Sequence, residues 1–109
     1  MKDKLDQAYI SGRALAKVVG MESKHWLEID HKAHLDCLLL GIEPLPCLEL
    51  LEAITIECQE FFESGDGDDL MGGVTNAMKQ EGVDDLLSGI YAAGVFDEAT
   101  RIRSHIKSL

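Results

Sequence analysis

The chain has 109 residues, 46% of them hydrophobic, and its 10 Lys and Arg against 20 Asp and Glu give a formal net charge of -10 at pH 7. A mean hydropathy of -0.01 is too apolar for intrinsic disorder, and no apolar run approaches the ~20 residues that cross a bilayer, so neither a disordered chain nor a membrane partner is expected. One compact domain over residues 1–109 is predicted, and a pI near 4.6 lacks the basic footprint of a nucleic-acid binder.

Apolar residues recur at helical spacing nearly throughout and never alternate in twos, which predicts an all-α bundle of about six helices with no sheet. The opening "MKDKLDQAYISGR" has neither the apolar block nor the small-residue cleavage site of a secretory signal, so a cytoplasmic location is expected. The first helix, about 3–19, carries Leu5, Ala8, Gly12, Leu15 and Val19 on one stripe and ends at Gly20, read as a left-handed C-terminal residue. A second helix, about 22–40, puts Trp26, Ile29, Ala33, Cys37 and Leu40 on one face.

That second segment also sets Glu28, His31, His34 and Cys37 three residues apart in a slanting row. A di-iron bundle needs ExxH from two helices and two further carboxylates, whereas ExxH occurs once here; zinc needs a fourth ligand, for which His105 or Cys58 are the candidates. No metal and no cofactor are therefore expected. Cys37 lies near His34, but no nucleophile signature or oxyanion-forming glycine turn surrounds it, so no enzymatic activity is expected either. Cys37, Cys47 and Cys58 are odd in number and form no CxxC, which fits reduced thiols in a cytosol.

"IEPLP" breaks the chain, because proline disfavours helix in the residue before it, and Pro46 is placed to open a third helix. On a wheel of ~100° per residue, Cys47, Leu51, Ile54, Cys58 and Phe62 share a buried stripe, while Glu49, Glu52, Glu60 and Glu63 gather opposite, around Ile56. "SGDGDD" is the second break. Asp66 and Asp68 match the first two ligands of an EF-hand, but the later ligand and glycine positions fall on Leu70, Met71 and Ala77. An acidic cap by Asp68 or Asp69 on a fourth helix, about 68–80, fits better. A fifth helix, about 83–93, and a sixth, about 96–108, are separated by Gly94, the sixth showing Phe96, Ala99, Ile102, Ile106 and Leu109 at helical spacing.

Charge is unevenly distributed. Residues 41–100 hold fourteen acidic residues against Lys79, and from Ala33 to Met78 there is neither lysine nor arginine. Glutamates three apart on one helix repel, each pair costing a few tenths of a kcal/mol, so folding gains nothing from the cluster. Either it is a solvated face that keeps the protein in solution, or it is a surface for a basic partner with Ile56 as apolar anchor.

Two resemblances bear on the choice. "RALAKVVGMESKHWLEIDHK", Arg13 to Lys32, resembles a DNA-binding helix-turn-helix: Ala16 is the small residue of its first helix, Gly20 the turn, Met21 the apolar residue after it, and Trp26 and Ile29 the buried positions of its second helix. The resemblance implies that Glu22, Ser23, Lys24, His25 and Glu28 face the major groove. The two glutamates repel phosphate, so direct nucleic-acid binding is not expected from the residues themselves. "GDGDDLMGGVTNAMKQEG", Gly65 to Gly82, is similar to the closing helix region of nuclease-colicin immunity proteins, which are small acidic helical inhibitors. The paired tyrosines of that family's toxin-binding helix have no counterpart, since Tyr9 and Tyr91 stand singly.

The expectation is a small acidic helical protein that binds and inhibits a basic protein, such as a toxin, a nuclease or a nucleic-acid-binding protein, in the manner of an immunity protein, an antitoxin or a nucleic-acid mimic. Its binding residues would be Glu49, Glu52, Ile56, Glu60, Glu63, Asp66, Asp68 and Asp69. A helix-turn-helix regulator built on 13–32 and a metal-binding helical bundle are the alternatives, and a homodimer is left open.

Overall fold

The computed structural model describes residues 2–20 and 44–108, with side chains for 5–20 and 49–105. Among the described residues there are four helices and no strand: α1 (Lys2–Val19), α2 (Pro44–Ser64), α3 (Gly67–Gln80) and α4 (Asp85–Ser108). The radius of gyration is 12.8 Å, close to the ~13 Å of a compact chain of about 100 residues. The expected second helix, about 22–40, lies outside the described residues. Among the described residues the all-helical expectation holds, and the count of about six is not matched.

The main correction is at the C-terminal end, where the expected fifth and sixth helices are one. Helix α4 runs unbroken from Asp85 to Ser108 through Gly94. Gly94 is a contact point and not a terminator: a Cβ there would collide with the Tyr9 carbonyl of α1 and lie 3.1 Å from the Arg13 amide nitrogen. Gly12 answers it from α1, where a Cβ would collide with the Tyr91 carbonyl and lie 3.0 Å from the Val95 amide nitrogen. Two glycines thus bring two backbones together, as only residues without a Cβ allow. Gly20 is likewise not left-handed; its N–H donates to the Ala16 carbonyl (3.0 Å), and its open side faces the Ile102 side chain.

The other breaks follow local chemistry. Helix α2 opens at Pro44, two residues before the expected start, with Pro44 and Pro46 both in the first turn, where a missing N–H removes no intrahelical bond. It closes at Gly65, whose N–H still donates to the Phe61 carbonyl (2.8 Å) and whose φ of +78° then turns the chain out of the helix. Helix α3 ends in a Schellman turn. Gly82 at φ +85° donates to Lys79 O (3.0 Å), Val83 N–H donates to Met78 O (3.1 Å), and the Val83 and Met78 side chains are both buried. One residue later Asp84 caps α4, its Oδ2 accepting from the Leu86 and Leu87 amides (2.9 and 3.3 Å).

Helix α4 is the spine. It packs most extensively against α1, then against α3, and α3 in turn carries α2. The core between them includes Leu15, Ile54, Leu70, Val74, Met78, Tyr91 and Val95, all essentially without exposed surface. Burying each of the larger aliphatic side chains contributes about 1.5–3 kcal/mol before conformational entropy is charged against it. This packing leaves the far side of α2 unpartnered among the described residues.

Candidate functional site

The side chains of α2 divide by angle. Leu50, Leu51, Ile54, Cys58 and Phe61 are buried, and Phe62 is half-buried. On the opposite side Glu49, Glu52, Glu60 and Glu63 are exposed, and with Ile56 they fall inside an arc of about 80° at ~100° per residue. Ile56, at the centre, is 55% exposed. The stripe is ~21 Å long from Glu49 to Glu63, and its four carboxylates stand on average ~7 Å apart along the axis, about twice the ~3.4 Å between phosphates along one DNA strand. Among the described residues none of these glutamates is in an ion pair, the pairs instead joining Arg13 and Arg101 to Glu98 and Lys79 to Asp85.

Asp66, Asp68 and Asp69 continue the acidity around the corner into α3, all three exposed. The cap of α3 is Asp66, not Asp68 or Asp69: its Oδ1 accepts from the Asp69 amide at 3.1 Å, and its own N–H donates to Ser64 Oγ at 3.2 Å. Asp68 and Asp69 sit in the first turn, near the positive end of the helix dipole. The EF-hand register is not formed, because the residues that would be its loop are helical from Gly67 onward. The neighbouring Asp66 charge and hydrogen bond raise the Asp69 carboxyl above its ordinary range, with Asp68 adding to the effect.

Sequence reasoning missed Glu57, which belongs to the same acidic region but turns inward. A Cβ on Gly73 of α3 would lie 2.8 Å from Glu57 Oε1, so the carboxylate occupies the notch that this glycine leaves. Burial first, then the charges of Glu60 and Asp69, push its carboxyl up. Beneath it, burial raises the Cys58 thiol to about 12, which keeps it protonated and unreactive at neutral pH. Cys58 is a free thiol; the Cys37 and Cys47 side chains lie outside the described residues.

Arg103 was also illegible in the sequence. Helix α4 brings its guanidinium against Gly65, inside the stretch that has no cation of its own, and 5.9 Å from the centre of the Phe61 ring. The opposite charge collects elsewhere. Ile10, Arg13, Lys17 and Arg101 line a shallow groove between α1 and α4, over a Glu98 whose side chain is 4% exposed. Arg101 grips Glu98 with Nη2 at 2.7 Å and Nε at 3.1 Å, Arg13 adds a contact at 3.6 Å, and the Arg101 hydrogen bond is the main cause holding the Glu98 carboxyl below its ordinary range. Next to it the Tyr9 hydroxyl donates to Asp97.

The Glu28, His31, His34 and Cys37 row and the second half of the helix-turn-helix pattern lie outside the described residues. Among the described residues no group of three or more His, Cys, Asp or Glu is arranged to hold a metal ion, and no helix is long and apolar enough to cross a membrane. Family models, curated proteins and solved structures yield no match to the chain.

Proposed function

We propose that the protein is a binding module whose acidic α2 face docks on a basic surface of another protein and blocks it, as an immunity protein, an antitoxin or a nucleic-acid mimic does. The observation that supports this reading is Ile56, exposed at the middle of four glutamates that have no cationic partner among the described residues. A face serving recognition uses both parts, with charge to steer the encounter and the apolar group to hold the complex. Asp66, Asp68 and Asp69 extend the surface past the end of α2.

The test is capture of a partner from native-host extract, followed by binding kinetics with the purified partner. Replacing Glu49, Glu52, Glu60 and Glu63 together by Gln should lower the association rate by about tenfold at low salt. The deficit should shrink as salt shortens the screening length to a few Å. Melting temperature should stay level or rise, because like-charge repulsion is relieved. Ile56→Ala should act mainly on dissociation. Unchanged rates for the quadruple variant at low salt would remove α2 as the binding face.

A further inference from the structure

The structure assigns, we propose, a second and independent site at the corner of α2, α3 and α4: a pocket for a small monocarboxylate with an apolar body, received by Arg103. A cavity of about 200 Å³ opens there, several times the ~30 Å³ that one water occupies in the liquid. Among the described residues it is lined by the polar Thr100, Arg103 and Ser104, by Gly65 and Gly67, and by the apolar Phe61 and Phe96. No Asp or Glu among the described residues lines it, in a chain with 20 of them. Asp66, between the two glycines, has its side chain engaged in capping α3.

Arg103 carries the argument. Its Nε is buried without a hydrogen-bond partner, and among the described residues no carboxylate pairs with its guanidinium. Arg13 and Arg101, by contrast, converge on Glu98. A buried donor left unsatisfied is costly, and a guanidinium offers a planar fork that a carboxylate fills with two parallel hydrogen bonds. Thr100 and Ser104 stand three residues before and one after Arg103 on α4 and can add hydroxyl donors to the same anion. The rings of Phe61 and Phe96, 6.1 Å apart between centroids and tilted by 57°, supply an apolar wall for the ligand's body. A single charge suits the site better than a double one, because Asp66, Asp68 and Asp69 stand close by in sequence and repel a dianion more.

The probes are phenylacetate, its neutral isostere phenylacetamide, and inorganic phosphate, each titrated into the full chain at constant ionic strength while backbone amide NMR signals are followed. Phenylacetate should give saturable shifts at Gly65, Gly67, Thr100 and Ser104 with a Kd on the order of 1 mM, as suits a ligand of few atoms. Phenylacetamide should not saturate, and phosphate should bind more weakly. Arg103→Gln should abolish saturation and Arg103→Lys should weaken it by about tenfold, since an ammonium keeps the charge and loses the fork. If Arg103→Gln fails to fold, the comparison of phenylacetate with phenylacetamide on the unaltered protein, and with Thr100→Val, decides the matter. Absence of a saturable shift to about 20 mM phenylacetate, well above the Kd expected for so small a ligand, overturns the proposal. So does equal binding of the amide or tighter binding of phosphate. Retention of phenylacetate binding by the quadruple α2 variant separates this site from the acidic face, whose failure would leave it standing.

Discussion

Glycine plays opposite roles at different positions of α4 and α1, and the space around each Cα decides which. At Gly12 and Gly94 the facing backbone occupies the volume a methyl group would need, and backbone cannot swing aside as a side chain tip can. Alanine at either position should therefore destabilise the protein by about 2–3 kcal/mol, read as a lower urea midpoint at unchanged slope. Gly89 and Gly72 also lie within helices, but nothing stands within 4 Å of the site a Cβ would take. Alanine there should raise stability by roughly 0.5–1 kcal/mol, because it lowers the entropy of the unfolded chain without a clash. Equal effects at Gly94 and Gly89 would contradict the close crossing of α1 and α4.

The ends of the helices were more legible than their partners. Apolar spacing located α1 and α3 to within a residue or so, and "SGDGDD" and Gly82 marked true breaks because the chemistry that ends a helix is local: a residue that tolerates positive φ, then a short polar side chain that accepts from free amides. Gly94 was misread since a glycine that ends a helix and one that admits a neighbouring backbone look identical until the neighbour is known. The acidic stripe was readable because all its members lie on one helix, whereas Arg103 reaches Gly65 from 38 positions away, which no periodicity reveals. Caps also make a sharp comparison between adjacent aspartates. Asp84→Ala removes the acceptor of two amides and should cost about 1 kcal/mol, while Asp85→Ala breaks only an exposed 3.6 Å pair with Lys79 and should change stability by less than about 0.5 kcal/mol. Thermal or urea unfolding of the two variants side by side checks this.

Across the whole molecule the two ends of the carboxylate scale oppose each other, and stability should respond to pH in two directions. Glu57 and Asp69 titrate above their ordinary values in the folded protein, so their contribution to folding is fully present below the unfolded value and is lost as pH rises through the folded one. Glu98 titrates below the ordinary glutamate value of 4.5, so its contribution is present above that value and is lost as pH falls through the depressed one. Melting temperature should thus rise modestly as pH falls from neutrality toward the ordinary glutamate value of 4.5, then fall at lower pH, where Glu98 takes a proton and releases Arg13 and Arg101. Replacing Glu57 by Gln should flatten the upper limb and leave the acid limb in place. A curve that falls monotonically from neutrality would show that Glu57 is not strained by burial.

The contact of α1 with α4 also orders events during synthesis. Among the described helices α1 is made well before α4, its chief partner, and the backbone crossing at Gly12 and Gly94 closes over more than eighty intervening positions. Until α4 emerges, α1 lacks its most extensive contact among the described residues, because its contact with α2 is slight. At about 5–20 residues per second that interval lasts several seconds, long compared with helix formation itself. The step that joins α1 to α4 is therefore non-local, and α1 waits through that interval for the helix that it packs against most.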